Sequence, residues 1–315
     1  MKMKWIAPLL AETLLAGALL AGPAGATETL RIGYQKGGGL LTLMKTQGTL
    51  EKQLAPQGYE VKWIEFPAGP QMLEALNAGS LDIATTGAPP PIFAQAAGVD
   101  LVYIGAEPGA GASEALFVPK KSPVRTVAQL KGKRVALQKG SGSHHLLVMA
   151  LQRAGLSLSD ITPVYMTPAD ARAAFMGGSV DAWVVWDPYL ASAQDTLDVR
   201  VLADYRGLPE ANGFYEASRA FVTRSPKIVS QVMAQVAKTC AWSTAHQDEI
   251  GKTIASQTGL SPKLVTVWQS RIRCDTKPVS SEVIANQQKV ADLFFNLKLI
   301  PRKIDVSKNV WKWQP

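Results

Sequence analysis

The sequence has few of the residues that carry covalent chemistry. Its 315 residues include two cysteines and three histidines. No His-Glu-x-x-His, Cys-x-x-Cys or mixed Cys–His zinc spacing occurs, so neither a bound metal nor any other cofactor is expected. The Gly-x-Ser-x-Gly nucleophile elbow is missing, as is the Gly-x-x-x-x-Gly-Lys-Ser/Thr nucleotide loop. Neither cysteine falls in a segment expected to line a cleft, which leaves no well-placed thiol nucleophile, and the chain is not expected to be an enzyme. Charge is also sparse, at 18% of residues beside 47% apolar and 7% aromatic. That is a globular composition; it excludes disorder, a collagen-like repeat and a small disulfide scaffold. Lys and Arg outnumber Asp and Glu by 33 to 25, for a net charge of +8. The basic residues are scattered with no run of five, so a nucleic-acid partner is not expected, whereas small anions are attracted.

No apolar run is long enough to span a bilayer comfortably. The best candidate, Ile6 to Leu20, is short and contains Glu12. With Lys2 and Lys4 before it and Ala24-Gly25-Ala26 after it, residues 1–26 read as a secretory signal peptide cut after Ala26. No cysteine precedes Cys240, so no lipid can be attached at that cut. A soluble, monomeric protein of the periplasm is expected. In that oxidising compartment Cys240 and Cys274 are either a disulfide or two buried thiols, because Cys240 also falls on the apolar stripe of a helix.

What the sequence does contain is an internal repeat. Arg31-Ile32-Gly33-Tyr34-Gln35-Lys36-Gly37 leads into Leu40-Leu41, and Arg134-Val135-Ala136-Leu137-Gln138-Lys139-Gly140 leads into Leu146-Leu147. A second pair lies at nearly the same offset. Leu73 to Ala78 is a helical pattern followed by Gly79-Ser80-Leu81-Asp82-Ile83-Ala84. Ala169 to Met176 is another, followed by Gly178-Ser179-Val180-Asp181-Ala182-Trp183. Each glycine suits the left-handed end of a helix, and each following run reads as a strand. Strands alternating with helices, stated twice, predict an α/β protein of two lobes, with mostly parallel sheets flanked by helices. Ser113–Val118 and Phe214–Val222 read as the two hinge crossovers. Lobe one is then 27–112 with 223–315, and lobe two 113–222. Ser225-Pro226 and Ser261-Pro262 open helices in the last third, where Val229, Val232, Met233, Val236 and Cys240 make one apolar face.

Ligands of such sheets bind beyond the carboxyl ends of the strands. Four polar segments fall there: Gln35 with the glycines after it; Thr85-Thr86-Gly87; Ser141-Gly142-Ser143-His144; and Trp186-Asp187-Pro188-Tyr189. The third opens a helix, whose first turn offers unpaired N–H groups and a partial positive charge. Small residues there let an anion reach the backbone. Trp186 and Tyr189 add flat walls. Asp187 is expected to bind backbone N–H groups or a loop side chain, because facing an anion would repel it. The set fits a small ligand with an anionic, oxygen-rich head and an apolar tail.

At these residues the chain resembles the periplasmic aliphatic sulfonate-binding proteins of ABC importers. The resemblance runs through Arg31–Gly37, Glu65-Phe66-Pro67-Ala68-Gly69-Pro70-Gln71-Met72-Leu73-Glu74-Ala75-Leu76 and Pro90-Pro91-Ile92-Phe93-Ala94-Gln95-Ala96-Ala97-Gly98. It continues through Gln138-Lys139-Gly140, Ser143-His144, Thr167-Pro168-Ala169-Asp170-Ala171-Arg172-Ala173-Ala174-Phe175 and Val180 to Tyr189. It implies a two-lobed type II periplasmic-binding-protein fold. It also implies capture of a small anionic alkanesulfonate and delivery to an inner-membrane permease driven by its ATPase. Gln35, Thr86, Gly87, Ser141, Ser143, His144, Trp186 and Asp187 are the site residues it carries over. One departure is Ala88, where the related pattern has Asp. With Ala88, taurine, nitrate or a thiamine-precursor pyrimidine remain alternative ligands, and for taurine Asp187 or Glu107 would meet the ammonium. A desulfinating hydrolase on the same fold would need a cysteine in the cleft, and none is expected there.

Overall fold

A computed structural model describes residues 27–35, 39–109, 111–209, 211–258, 260–271 and 273–311. The signal peptide expected over 1–26, and Lys36, Gly37 and Gly38, lie outside the described residues. In chain order the elements are β1 (Glu28–Gln35), α1 (Gly39–Gln47), α2 (Thr49–Leu54), β2 (Tyr59–Phe66), α3 (Gly69–Asn77), β3 (Ile83–Thr86), α4 (Pro89–Ala97) and β4 (Leu101–Glu107). The second run is β5 (Glu114–Pro119), β6 (Arg134–Leu137), α5 (Gly142–Arg153), β7 (Thr162–Tyr165), α6 (Pro168–Met176), β8 (Ala182–Trp186), α7 (Tyr189–Thr196) and β9 (Val199–Asp204). The chain closes with β10 (Gly213–Ser218), α8 (Arg219–Arg224), α9 (Pro226–Ala245), α10 (Gln247–Thr258), α11 (Pro262–Gln269) and α12 (Ser281–Asn296).

Two five-stranded sheets result, ordered β2-β1-β3-β10-β4 and β7-β6-β8-β5-β9. In each, three neighbouring strands are parallel and the fourth in order runs antiparallel to both its neighbours. The sequence repeat is thus a repeat of topology, with β1, β2 and β3 matching β6, β7 and β8.

The repeated residues explain how each copy holds together. The Arg31 backbone N–H donates to Asp82 Oδ2 at 2.8 Å, and the Arg134 backbone N–H donates to Asp181 Oδ2 at 2.8 Å. The Arg31 guanidinium also binds the Gly79 carbonyl, and that of Arg134 binds the Gly178 carbonyl. In both copies one arginine fastens the middle strand to the loop entering its neighbour. Gly79 at φ +71° and Gly178 at φ +70° make the left-handed turns that bring those carbonyls round.

Phe214–Val222, expected as an extended crossover beside the second lobe, behaves differently. Gly213–Ser218 is β10 and pairs between β3 and β4 of the first sheet; Arg219–Arg224 is helical. Similarly, Ser113–Val118 is mostly β5, inside the second sheet. The chain passes from one sheet to the other between β4 and β5 and returns between β9 and β10. Strand-like patterning marks a strand without saying which sheet will pair with it.

The apolar stripe of α9 packs as expected: Val229, Val232, Met233 and Val236 are fully buried against Ile32 and Ile104 of the first sheet. Cys240 and Cys274 form a disulfide with Cα atoms 5.6 Å apart, settling the alternative left open by the sequence. Among the described residues no helix is long and apolar enough to cross a membrane.

Candidate functional site

Between the two sheets lies a cleft of about 230 Å³. Parallel strands end there, so the helices that follow them begin there. α1 starts at Gly39, α3 at Gly69, α4 just after Gly87-Ala88 and α5 at Ser141-Gly142, and all these residues line the cleft. The N-caps of α3, α4 and α5 are Ala68, Ala88 and Ser141, and none makes a side-chain capping bond. By contrast α6, α8, α11 and α12 are capped by the hydroxyls of Thr167, Ser218, Ser261 and Ser280, and none of those N-termini lines the cleft. The start of α5 therefore keeps its N–H donors and partial positive charge for something other than its own side chains; α3 keeps the N–H groups of Gly69 and Gln71, while α4, opening Pro89-Pro90-Pro91, has no N–H in its first turn and brings only the positive end of its dipole and the N–H groups of Gly87 and Ala88 just before it.

Of the residues singled out from sequence, Gln35, Thr86, Gly87, Ser141, Gly142, Trp186 and Asp187 all line this cleft. They come from both sheets. Asp187 accepts from the Ala191 backbone N–H at 2.8 Å and from Arg271 Nη1 at 3.2 Å on each oxygen. A loop partner was expected for it; the arginine was not. The Asp187–Pro188 peptide is cis. Ser141 spends its hydroxyl on the Gln138 carbonyl at 2.7 Å, so it is the backbone at this helix start that faces the cleft.

Four of the singled-out residues are not in the lining. The Thr85 hydroxyl donates to the Phe214 carbonyl at 3.1 Å, because alternation along β3 turns its side chain opposite to that of Thr86. Ser143 is fully buried and its Oγ has no partner. His144 is also fully buried, beside Phe93 and Phe294 of the first lobe, and its Nδ1 accepts from the Gly140 backbone N–H at 3.2 Å. Burial, with the nearby Lys139 charge, pushes its pKa down to about 4, so it is a neutral packing group that shapes the glycine loop. Tyr189 stands edge-on to Trp186 at 6.5 Å, and its hydroxyl pKa is raised by burial and then by Glu65 of the opposite lobe.

Several cleft residues had escaped the sequence reading. Arg271 and Arg273 follow α11 and reach the cleft from the C-terminal third, as does Trp268. Arg271 spans the lobes, binding Asp187 and donating to Gln194 Oε1 at 2.5 Å. Nothing local marks these residues; only the packing of α11 against α7 brings them in, and the disulfide at Cys274 fastens the same segment to α9. Glu114, which opens β5, lies against the start of α5: a Cβ on Gly142 would come within 2.7 Å of Glu114 Oε2. That oxygen is buried without a hydrogen-bond partner. Burial and then the Asp187 charge raise the Glu114 pKa to about 8.

A further acid stands behind Thr86. Glu216 is fully buried, its Oε1 is 2.6 Å from Thr86 Oγ1, and burial raises its pKa well above the usual range. The Thr86 hydroxyl donates to that oxygen and also lies 3.0 Å from the Gly87 carbonyl, so both of its acceptors belong to the first lobe. Glu107 is tied to the Tyr215 hydroxyl and to Thr276 Oγ1, and burial raises its pKa despite both bonds. The cleft thus offers an arginine pair, backbone donors and acids whose pKa burial raises, around a small volume with Trp186 and Trp268 as walls. Among the described residues no group of three His, Cys, Asp or Glu side chains could hold a metal ion.

Two α/β lobes whose strand ends face one another across a polar cleft define a type II periplasmic binding protein. A family model described as NMT1/THI5-like matches residues 54–250. An Escherichia coli (strain K12) protein named "Putative aliphatic sulfonates-binding protein" is 45% identical over 308 residues, spanning 98% of this chain and 95% of its own length. The solved alkanesulfonate-binding protein SsuA from Xanthomonas axonopodis pv. citri, bound to MOPS, superposes with a TM-score of 0.88 at 43% identity, covering 91% of this chain and 99% of the other. The chain belongs to this aliphatic sulfonate-binding family. Likeness to the desulfurization enzyme DSZB, at 16% identity and a TM-score of 0.65 over 90% of this chain and 96% of that one, is one of fold alone.

Proposed function

We propose that this protein captures alkanesulfonates in the periplasm and hands them to an inner-membrane permease driven by its ATPase, supplying a sulfur source. The observation that carries the reading is the convergence of uncapped helix starts from both lobes, together with Arg271, on one small cleft. A sulfonate is a tetrahedral monoanion with three acceptor oxygens at any physiological pH, and it suits N–H and hydroxyl donors that surround it. Hydrogen bonds to a charged group contribute about 1.5–3 kcal/mol each. Three of them at the upper end of that range, or about six at the lower end, reach the roughly 8 kcal/mol net that micromolar binding needs.

No covalent step is involved. The open form takes the anion on one lobe; closure adds the donors of the other, and the permease recognises the closed form. Gln35, Thr86 and Gly87 act from the first lobe, and Ser141, Gly142 and Trp186 from the second. Arg271 acts from the first-lobe side while neutralising Asp187. The close relatives are named as binding proteins, which supports a non-enzymatic role. Titration calorimetry with ethanesulfonate, MOPS, taurine, nitrate, sulfate and a thiamine-precursor pyrimidine is the test. Saturable binding of the sulfonates, with sulfate and nitrate at least a hundredfold weaker, is the expected outcome. Binding of nitrate or of a pyrimidine in place of every sulfonate would replace this reading.

A further inference from the structure

Next to the anion cleft is a second hollow of about 190 Å³, and Gly39 and Trp268 belong to the lining of both. Its walls are mainly apolar: Leu40 and Leu43 from α1, Ile250 and Ile254 from α10, and Trp268 from α11. Most of these side chains form their own small cluster with Leu264 and Val265, apart from the cores under the two sheets. Unfilled apolar space forfeits dispersion contacts, and protein interiors normally close it. An apolar cavity of about 150 Å³ is large enough to take a benzene. Gln269 adds a second sign that something belongs here. It lines the same hollow, and its buried Nε2 has no hydrogen-bond partner.

We propose that this hollow is a tail subsite. It takes the apolar chain or ring of an organic sulfonate whose charged head lies in the cleft at the start of α5. Trp268 is the shared wall past which the tail runs, and Gln269 offers a donor to an oxygen carried on that tail. The preferred ligands are then sulfonates with a butyl to hexyl chain or a phenyl ring. Methanesulfonate leaves the hollow empty. The assignment rests on the sulfonate reading above and extends it from the head of the ligand to its body. Burial of each added methylene is worth about fourfold in affinity.

The test is calorimetry on the whole secreted chain with methane-, ethane-, butane-, hexane-, octane- and benzenesulfonate, repeated for Leu43→Phe and Leu43→Ala. The native affinity is expected to climb about fourfold per methylene up to hexane. Leu43→Phe fills the hollow and should flatten that climb while leaving methanesulfonate within twofold. Leu43→Ala enlarges it and should carry the climb on to octanesulfonate; if the Phe variant does not fold, this one decides. A native series that is flat with chain length overturns the subsite, as does an unchanged hexanesulfonate advantage in a folded Leu43→Phe variant or a Leu43→Ala series that gains nothing from hexane to octane. Failure of every sulfonate, methanesulfonate included, instead overturns the sulfonate reading on which it stands.

Discussion

At the residue scale the cleft is governed by acids whose pKa burial raises. Glu114 touches the start of α5, where an anion would be drawn, and its pKa is raised to about 8 by burial and then by Asp187. Arg271 faces that same Asp187, and the Tyr205 hydroxyl lies near Glu114 and donates to the Gly142 carbonyl at 2.9 Å. A sulfonate does not titrate, so any pH dependence of its capture reports the protein. Affinity is expected to hold through neutrality and fall by up to tenfold per pH unit above about 8, where Glu114 becomes a second anion in the cleft; Glu114→Gln should abolish that fall. Calorimetry with ethanesulfonate from pH 6 to 9.5 reads both. Linkage gives the matching stability effect. A carboxyl whose folded pKa is raised holds a proton that the unfolded chain has lost, so its contribution fades as pH rises from about 4.5 to 8. His144 and His145, both lowered to about 4, act oppositely, costing stability as pH falls from about 6.5 to 4. Between about 6.5 and 8 the Glu114 contribution stands clear of the histidines. Urea midpoints should decline there, by at most about 1.4 kcal/mol per pH unit for that group, and Glu114→Gln should lose its share of the decline.

At the scale of elements the two lobes repeat one clamp in two settings. In the Arg31–Asp82 pair the aspartate side chain is 3% exposed; in Arg134–Asp181 it is 35% exposed. Removing one partner of a buried pair leaves the other charge uncompensated, while a solvated pair contributes little. Asp82→Ala should therefore cost about 3 kcal/mol and Asp181→Ala about 1 kcal/mol or less, read from denaturant midpoints at unchanged slope. Equal costs would mean that the backbone bond to each arginine N–H, common to both, carries the effect. Much of this level was legible in the sequence. The paired Arg–strand–glycine and Gly-Ser-x-Asp patterns marked the matching strands, and the serine–proline starts marked α9 and α11. What escaped was partner choice. β10 and β5 carry ordinary strand patterning, and only sheet geometry assigns each to its sheet. Thr85 and Ser143 lie off the cleft lining for a similar reason, since polar residues at a strand end or a helix start turn in or out by alternation and packing.

At the scale of the molecule the lobes are bridged by Arg271 to Asp187 and Gln194, and by Lys263 to Asp195 at 3.3 Å. The disulfide closes a 34-residue separation containing α10, α11 and Arg271, and a loop of that size contributes roughly 3–4 kcal/mol in the chain-entropy model. Cys240→Ser with Cys274→Ser should lower the unfolding temperature. Because it frees the segment holding Arg271, it should also weaken ethanesulfonate binding by about tenfold or more. Calorimetry run beneath the variant's own unfolding temperature separates the two effects. An unchanged affinity would show that α11 packing alone positions the arginine. Saturating sulfonate, at a hundred times Kd, should stabilise the native protein by about 2.7 kcal/mol, a shift visible in a thermal scan.

Read alone, the chain already carries the doubled α/β plan, the serine–proline helix starts and the four strand-end loops, because these rest on short-range rules of periodicity, capping and turn chemistry. It left the pairing of the two cysteines open. Tertiary packing alone settled which donors those loops present, that burial raises the pKa of Glu114 and Glu216 beside them, that Arg271 and Trp268 join them from more than eighty residues beyond Asp187, and that an apolar hollow opens alongside. Burial and encounter between distant segments set those features, and neither is written in the spacing of residues along a chain.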